Sequence, residues 1–222
     1  QPMQEFITTI PAQAVTTAQL PTIELPHNEA LLATSPVNYV GVSTSLKALG
    51  YTATGADIVV NRYLSQTYLH EYIREKGGAY GAFSVLDMRA GIVTMLSYRD
   101  PNVAQTLDVY ANAGKWLQNQ HLDEETLLQA IIGAAGDLDS YMIPSARGMA
   151  AFVEYLNGID LAYRQQIRDA ALRVTNADFA QFGAVIEQAA ATWERIVLGG
   201  ESAIQQANTT QPGLFAVTTK VQ

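Results

Sequence analysis

Three histidines, His27, His70 and His121, are the only imidazoles in the 222-residue chain, and it contains no cysteine. Two helical histidines that share a zinc ion stand about four residues apart, as in H-E-x-x-H or H-x-x-E-H, so that both rings reach the metal. His70-Glu71 begins such a motif, but Arg74 stands where the second ligand belongs, and a cation there opposes metal binding. His27 lies in a Pro26-His27-Asn28 turn and His121 in a connection between helices, where both read as solvated surface residues. No metal site of the chain's own is expected.

Nucleophile chemistry has little more support. No G-x-S-x-G elbow is present to expose a catalytic serine. An independent hydrolase would need clustered carboxylates such as Asp123, Glu124 and Glu125, and these read instead as the acidic first turn of a helix. Gly77-Gly78-Ala79-Tyr80-Gly81 follows a helix and enters a strand, the reverse of the order that aims N–H groups at a phosphate. What such a corner does permit is close approach of two backbones. An edge strand starting at Ala79 would let Gly77, Gly78 and Ala79 bind an extended peptide.

Arg74, near the helix end, and Tyr80, at the strand start, flank this corner and are both donors. Converging on one carbonyl, they could stabilise an oxyanion. From residue chemistry alone the plainer assignment is favoured: Arg74 a solvated cation at a helix C-terminus, Tyr80 a half-buried strand aromatic.

The elements that would position these groups follow from hydrophobic period and punctuation. Residues 29–33 and 37–42 read as strands divided by Ser35-Pro36. From Asp57 to Lys76, Val60, Leu64, Tyr68 and Tyr72 recur every four residues with Leu69 and Ile73 beside them, which predicts a long amphipathic helix ended by Gly77-Gly78. Residues 79–86 and 91–97 form a predicted hairpin around 87–90. A second long helix is expected through Gln118, with Asp100 as its cap and Pro101 in its first turn. Helices follow from Asp123 and over 144–158, 160–173 and 176–191, the last capped by Thr175 or Asn176, then a strand at 195–198, a short helix at 202–207 and a strand at 214–218. The class is α+β: a mixed or antiparallel sheet with long helices on one face.

With 13 Lys and Arg against 21 Asp and Glu, net charge −8, the chain lacks the clustered basic surface a nucleic acid requires. No apolar run approaches the roughly 20 residues needed to cross a bilayer, so a soluble protein without a membrane partner is expected. The chain opens Gln1-Pro2-Met3, and residues 1–25 are a low-charge, linker-like segment before a domain at 26–222, as in a fragment of a larger chain. Absence of cysteine leaves the compartment open: cytoplasm or periplasm in a bacterium, mitochondrial matrix in a eukaryote.

Tyr68-Leu69-His70-Glu71-Tyr72-Ile73-Arg74-Glu75-Lys76-Gly77-Gly78-Ala79-Tyr80-Gly81 and Leu96-Ser97-Tyr98-Arg99-Asp100-Pro101-Asn102 resemble two segments of the insulinase-like (pitrilysin/insulysin-type) zinc metallopeptidases, in their presequence-protease branch. Pro144-Ser145-Ala146-Arg147-Gly148, Tyr155-Leu156-Asn157-Gly158 and Val197-Leu198-Gly199-Gly200 extend the resemblance over about residues 25–205. It implies the C-terminal domain of such an enzyme, which closes with a zinc-bearing N-terminal half around unstructured peptides. It implies further that Arg74 and Tyr80 reach the substrate carbonyl near a zinc held elsewhere in the parent chain. The fragment alone is then expected to be inactive and cofactor-free, and to dimerise through a former domain interface. A non-catalytic peptide-binding or scaffold subunit is the alternative. Leu69-His70, where a Trp is common, and Ser84, where an aromatic or Cys is typical, depart from the pattern.

Overall fold

The computed structural model describes residues 2–10 and 27–220. Its elements in chain order are α1 (Pro2–Thr9), β1 (Asn28–Leu32), β2 (Asn38–Ser45), α2 (Gly55–Leu64), β3 (Gly81–Asp87), β4 (Ile92–Asp100), α3 (Ala104–Gln118), α4 (Glu124–Leu138), α5 (Pro144–Leu156), α6 (Leu161–Leu172), α7 (Asn176–Ala189), β5 (Glu194–Gly199), α8 (Glu201–Thr210) and β6 (Val217–Lys220). Most of the linker-like segment expected over 1–25 lies outside the described residues; within it, α1 is helical.

One six-stranded sheet runs β3-β4-β2-β5-β1-β6. β2 pairs antiparallel with β4 and β5, β3 antiparallel with β4, and β1 parallel with both β5 and β6. The expected α+β class with a mixed sheet is therefore what forms. Successive strand residues point to opposite faces, and here the faces differ sharply. Val40, Val42, Val93, Met95 and Val197 are buried toward the helices, whereas Tyr39, Phe83, Val85 and Ile196 on the other face remain exposed. Among the described residues the helices thus cover one face only.

The core between sheet and helices is built on Tyr110, Phe179, Phe182, Leu64, Leu69 and Ile73. α3 and α7 cross at Gly114 and Gly183; a Cβ on Gly114 would fall on the backbone of Glu187, so glycine sets the close approach. Tyr63, Tyr68 and Trp116 form an aromatic cluster with centroids 5.9 and 4.9 Å apart for the two Trp116 pairs. Tyr68 Oη donates to the Val109 carbonyl at 2.9 Å, and burial pushes its phenol up to about 12.

The helix expected over 57–76 begins two residues earlier, because Asp57 closes a capping box at Thr54, accepting the Thr54 N–H at 2.7 Å. After Leu64 the chain stays helical from Ser65 to Glu75 but widens to a π-helix with i→i−5 pairing, as in Lys76 N–H to Glu71 C=O at 2.9 Å. A strict four-residue repeat drifts by about 40° per repeat on an α-helix. The wider turn offsets that drift and keeps Leu64, Tyr68 and Tyr72 facing the core.

Two further boundaries move for physical reasons. α3 starts at Ala104, since Asp100 is the last residue of β4 and spends its carboxylate on Ser97, Asn102 and Thr106, leaving Pro101 outside the helix. The last strand starts at Val217, because Leu214 and Phe215 are buried in the turn before it. Of the two cap candidates for α7, Thr175 forms the capping box with Asp178, while Asn176 brackets the backbone of Leu122. No described helix is long and apolar enough to cross a membrane.

Candidate functional site

The two-glycine corner sits where the wide helix hands the chain to edge strand β3. Gly78 has φ +81°, a backbone conformation that favours glycine, and its N–H donates to Arg74 C=O at 3.0 Å. The Ala79 N–H donates to Ile73 C=O at 3.0 Å, and Asn102 Nδ2 holds the Gly77 carbonyl at 2.7 Å. Gly78 and Ala79 thus use their N–H groups to end the helix. Ala79 is buried, and the strand proper starts at Gly81.

This corner opens a cleft of about 670 Å³ lined by Val37, His70, Arg74, Glu75, Gly78, Ala79, Tyr80 and Arg99. Arg74 and Tyr80 therefore share one cleft, as their positions on either side of the glycines suggested. Tyr80 is 60% exposed, and its ring meets Tyr98 edge-on at 5.4 Å, so the ring is braced while the hydroxyl makes no hydrogen bond among the described residues. Arg74 is exposed at the end of the wide helix. Its Nη1 lies 3.4 Å from His70 Nε2, and His70 Nδ1 lies 3.5 Å from Glu75 Oε1. The Nδ1–H tautomer of His70 satisfies both contacts. His70 thereby orients Arg74, and that cation occupies the direction a second metal ligand would need. His27 is exposed and pairs with Glu194 at 2.6 Å; His121 is exposed in the α3–α4 connection. Among the described residues no three His, Cys, Asp or Glu side chains gather as a metal site requires.

The motif Ser97-Tyr98-Arg99-Asp100-Pro101-Asn102 holds the corner from beneath. Asp100 is fully buried; Oδ2 accepts from Ser97 Oγ at 2.6 Å and Thr106 Oγ1 at 2.7 Å, and Oδ1 accepts the Asn102 N–H at 2.8 Å. Asn38 Nδ2 donates to the Asp100 carbonyl at 2.9 Å. With the Asn102 bond to Gly77, this ties β2, β4 and the corner into one unit.

The sheet's edge is partly closed. In β3, Ser84 turns its N–H and C=O away from β4, where Ser65 Oγ and Asn61 Nδ2 bind them, both at 3.1 Å. Only the start and end of the strand keep an open edge, the usual protection against strand-to-strand association. Two features went unassigned in the sequence: the role of Arg99, and the open apolar face formed by Phe83, Leu96, Tyr98 and Ile196. The alternation of Phe83 and Val85 with Ala82 and Ser84 was the available signal. A second cleft of about 350 Å³ lies among α2, α4, α5 and α6 and is mostly apolar; its charges pair internally, as in Arg164 with Glu154 at 3.5 Å.

Comparison with known proteins places this arrangement. The profile described as "PreP C-terminal domain" matches residues 28–200. Presequence protease 1, chloroplastic/mitochondrial, from Arabidopsis thaliana is 36% identical over 191 residues, covering 86% of this chain and 18% of that protein. The chain thus spans about a fifth of that relative's length. In fold it is similar to a protease from Helicobacter pylori (TM-score 0.58, 15% identity, 84% of this chain and 48% of that one). It is also similar to a peptidase M16 inactive domain from Pseudomonas fluorescens (TM-score 0.52, 16% identity, 82% and 46%). The expected resemblance to insulinase-like zinc peptidases of the presequence-protease branch is met. On the extent of the profile match and the plant relative, the chain belongs to the PreP C-terminal domain family.

Proposed function

We propose that this domain binds unstructured peptide substrate for a zinc metalloendopeptidase whose metal lies in the N-terminal half of the parent chain. Arg74 and Tyr80 donate to the carbonyl at the scissile bond and stabilise the oxyanion that develops there. The observation that carries this reading is that both donors stand exposed on one cleft, each braced from behind by His70 or Tyr98 and free toward solvent. Gly78 and Ala79 line the cleft between the donors and contribute to substrate binding by shape, with no long side chain to hold a peptide off, and Gly77, held by Asn102, shapes the corner behind them. Zinc in the parent enzyme would supply the activated water; this chain supplies binding and charge stabilisation.

The relative's name describes a protease of presequences in chloroplasts and mitochondria. Peptides without stable structure, and an organelle matrix when the cell is eukaryotic, are proposed for the parent of this chain. α5 buries none of its residues and exposes Met149, Tyr155 and Leu156. We assign this surface to contact with the rest of the parent chain, and in its absence to a homodimer.

The test is cleavage of a flexible peptide by this chain alone, and mixed with its N-terminal half, each with and without a zinc chelator. Activity in the mixture only, lost with chelator, is expected. Arg74→Ala and Tyr80→Phe in the full enzyme should each lower kcat by about 10- to 1000-fold. Unchanged kinetics for both variants would remove the oxyanion role and favour a peptide-binding scaffold.

A further inference from the structure

Arg99 is the one non-glycine residue with positive φ among the described residues, at +50°. The backbone is forced there by a β-bulge: between the pairs Asn38–Asp100 and Val40–Ser97, β4 carries one more residue than β2. The bulge is pinned at both ends, since the Ser97 hydroxyl donates to buried Asp100 across it at 2.6 Å. Glycine or asparagine would occupy this conformation with less strain than arginine. A residue kept against backbone preference points to what its side chain does.

That side chain enters the cleft of Arg74 and Tyr80. The Arg99 guanidinium carbon lies 5.7 Å from the centroid of the Tyr80 ring. In a chain of net charge −8, Arg74 and Arg99 have no carboxylate partner among the described residues. The one acid lining the cleft, Glu75, sits beside His70. Two unpaired guanidinium groups facing one cleft form a receptor for an anion of planar, two-oxygen geometry.

We propose that Arg99 is a specificity residue that receives a carboxylate of the bound peptide beside the carbonyl held by Arg74 and Tyr80, and that it steadies the Tyr80 ring. The carboxylate comes from an acidic side chain or from the peptide's C-terminus. This rests on the peptide-binding reading above.

The experiment uses the full parent enzyme and paired peptides of one sequence. In one arm a Glu is replaced by Gln at successive positions around the cleavage site; in the other the C-terminal acid is replaced by an amide. The ratio of kcat/KM within each pair is measured for wild type, Arg99→Gln and Arg99→Lys. Arg99→Gln should lower the preference for the carboxylate by about three- to tenfold in one arm, which identifies its source, and Arg99→Lys should lower it less. Kd ratios for the same pairs on zinc-stripped enzyme should shift alike, so a failure of the catalytic reading, seen in Arg74→Ala and Tyr80→Phe, is separable from a failure of this one. Arg99→Asn, which suits the backbone, should leave Tm unchanged or raised. Ratios unmoved in both arms, or a clear fall in Tm for Arg99→Asn, would overturn the proposal.

Discussion

Replacing Asp100 with Ala should expose how much the corner depends on one buried carboxylate. Three donors aim at it: the Ser97 and Thr106 hydroxyls at 2.6 and 2.7 Å and the Asn102 N–H at 2.8 Å. Asp100, Ser97 and Thr106 are all buried, so water cannot replace the lost acceptor without opening the structure. An orphaned buried donor costs about 1 kcal/mol or more, which gives a loss of about 3 kcal/mol for the three. Removing a buried charge relieves some desolvation, and the freed hydroxyls can rotate, so the lower figure per donor is used. In a chain of this size 3 kcal/mol corresponds to a fall in Tm of about 6–12 °C. Asp100→Asn keeps the shape and one acceptor oxygen, and should lose about half as much. The assay is urea unfolding followed by circular dichroism, with Tm measured in parallel. A loss below about 1 kcal/mol for Asp100→Ala would refute the view that this network holds β2, β4 and the two-glycine corner together.

Gly78→Ala places a Cβ at φ +81° and should destabilise by about 1 kcal/mol through backbone strain alone, since its nearest neighbour, Pro101 Cγ, would be an unstrained 3.6 Å away; a neutral Tm would contradict this. Asn61→Ala removes the amide that binds the Ser84 carbonyl at 3.1 Å and hydroxyl at 2.5 Å, so about 1–2 kcal/mol should be lost and the β3 edge opened. Light scattering should show concentration-dependent association beyond that of wild type, and identical scattering would argue against the plug. The Asp87 carboxyl is held below its usual 3.8 by the Ala90 and Arg89 N–H groups of the hairpin turn. Its stabilising contribution is therefore present above pH 3.8 and lost as pH falls through the lowered folded-state value. The Tm difference between wild type and Asp87→Ala should shrink as the solution is acidified below that point, and a difference that grew would refute the assignment.

Much of this molecule was legible in the chain because the signals were local. Hydrophobic period placed the long helix. Glycine punctuation ended it before a hairpin, and the acidic run at Asp123 marked the start of α4, where Asp123 accepts the Thr126 N–H at 2.8 Å. The motif put Arg74 and Tyr80 on either side of the two-glycine corner, and in the fold both line one cleft. Where the α3 boundary failed, strand pairing between β2 and β4 had overruled a local cap preference. Asp100 reads as a helix cap, yet it ends a strand, because pairing with Asn38 of β2 holds it in β4, where its carboxylate accepts from the Ser97 and Thr106 hydroxyls.

What no local pattern carried was the arrangement between elements. The strand order that makes β3 an edge depends on which strands pair across the sheet, and Asn61 and Ser65 can cover that edge only once the helix lies along it. Arg99 shows the division most clearly. Its identity and its place in the motif were visible in the sequence. The left-handed backbone that turns it into the cleft exists because β2 and β4 pair with one residue too many between them, and register is a property of two strands together.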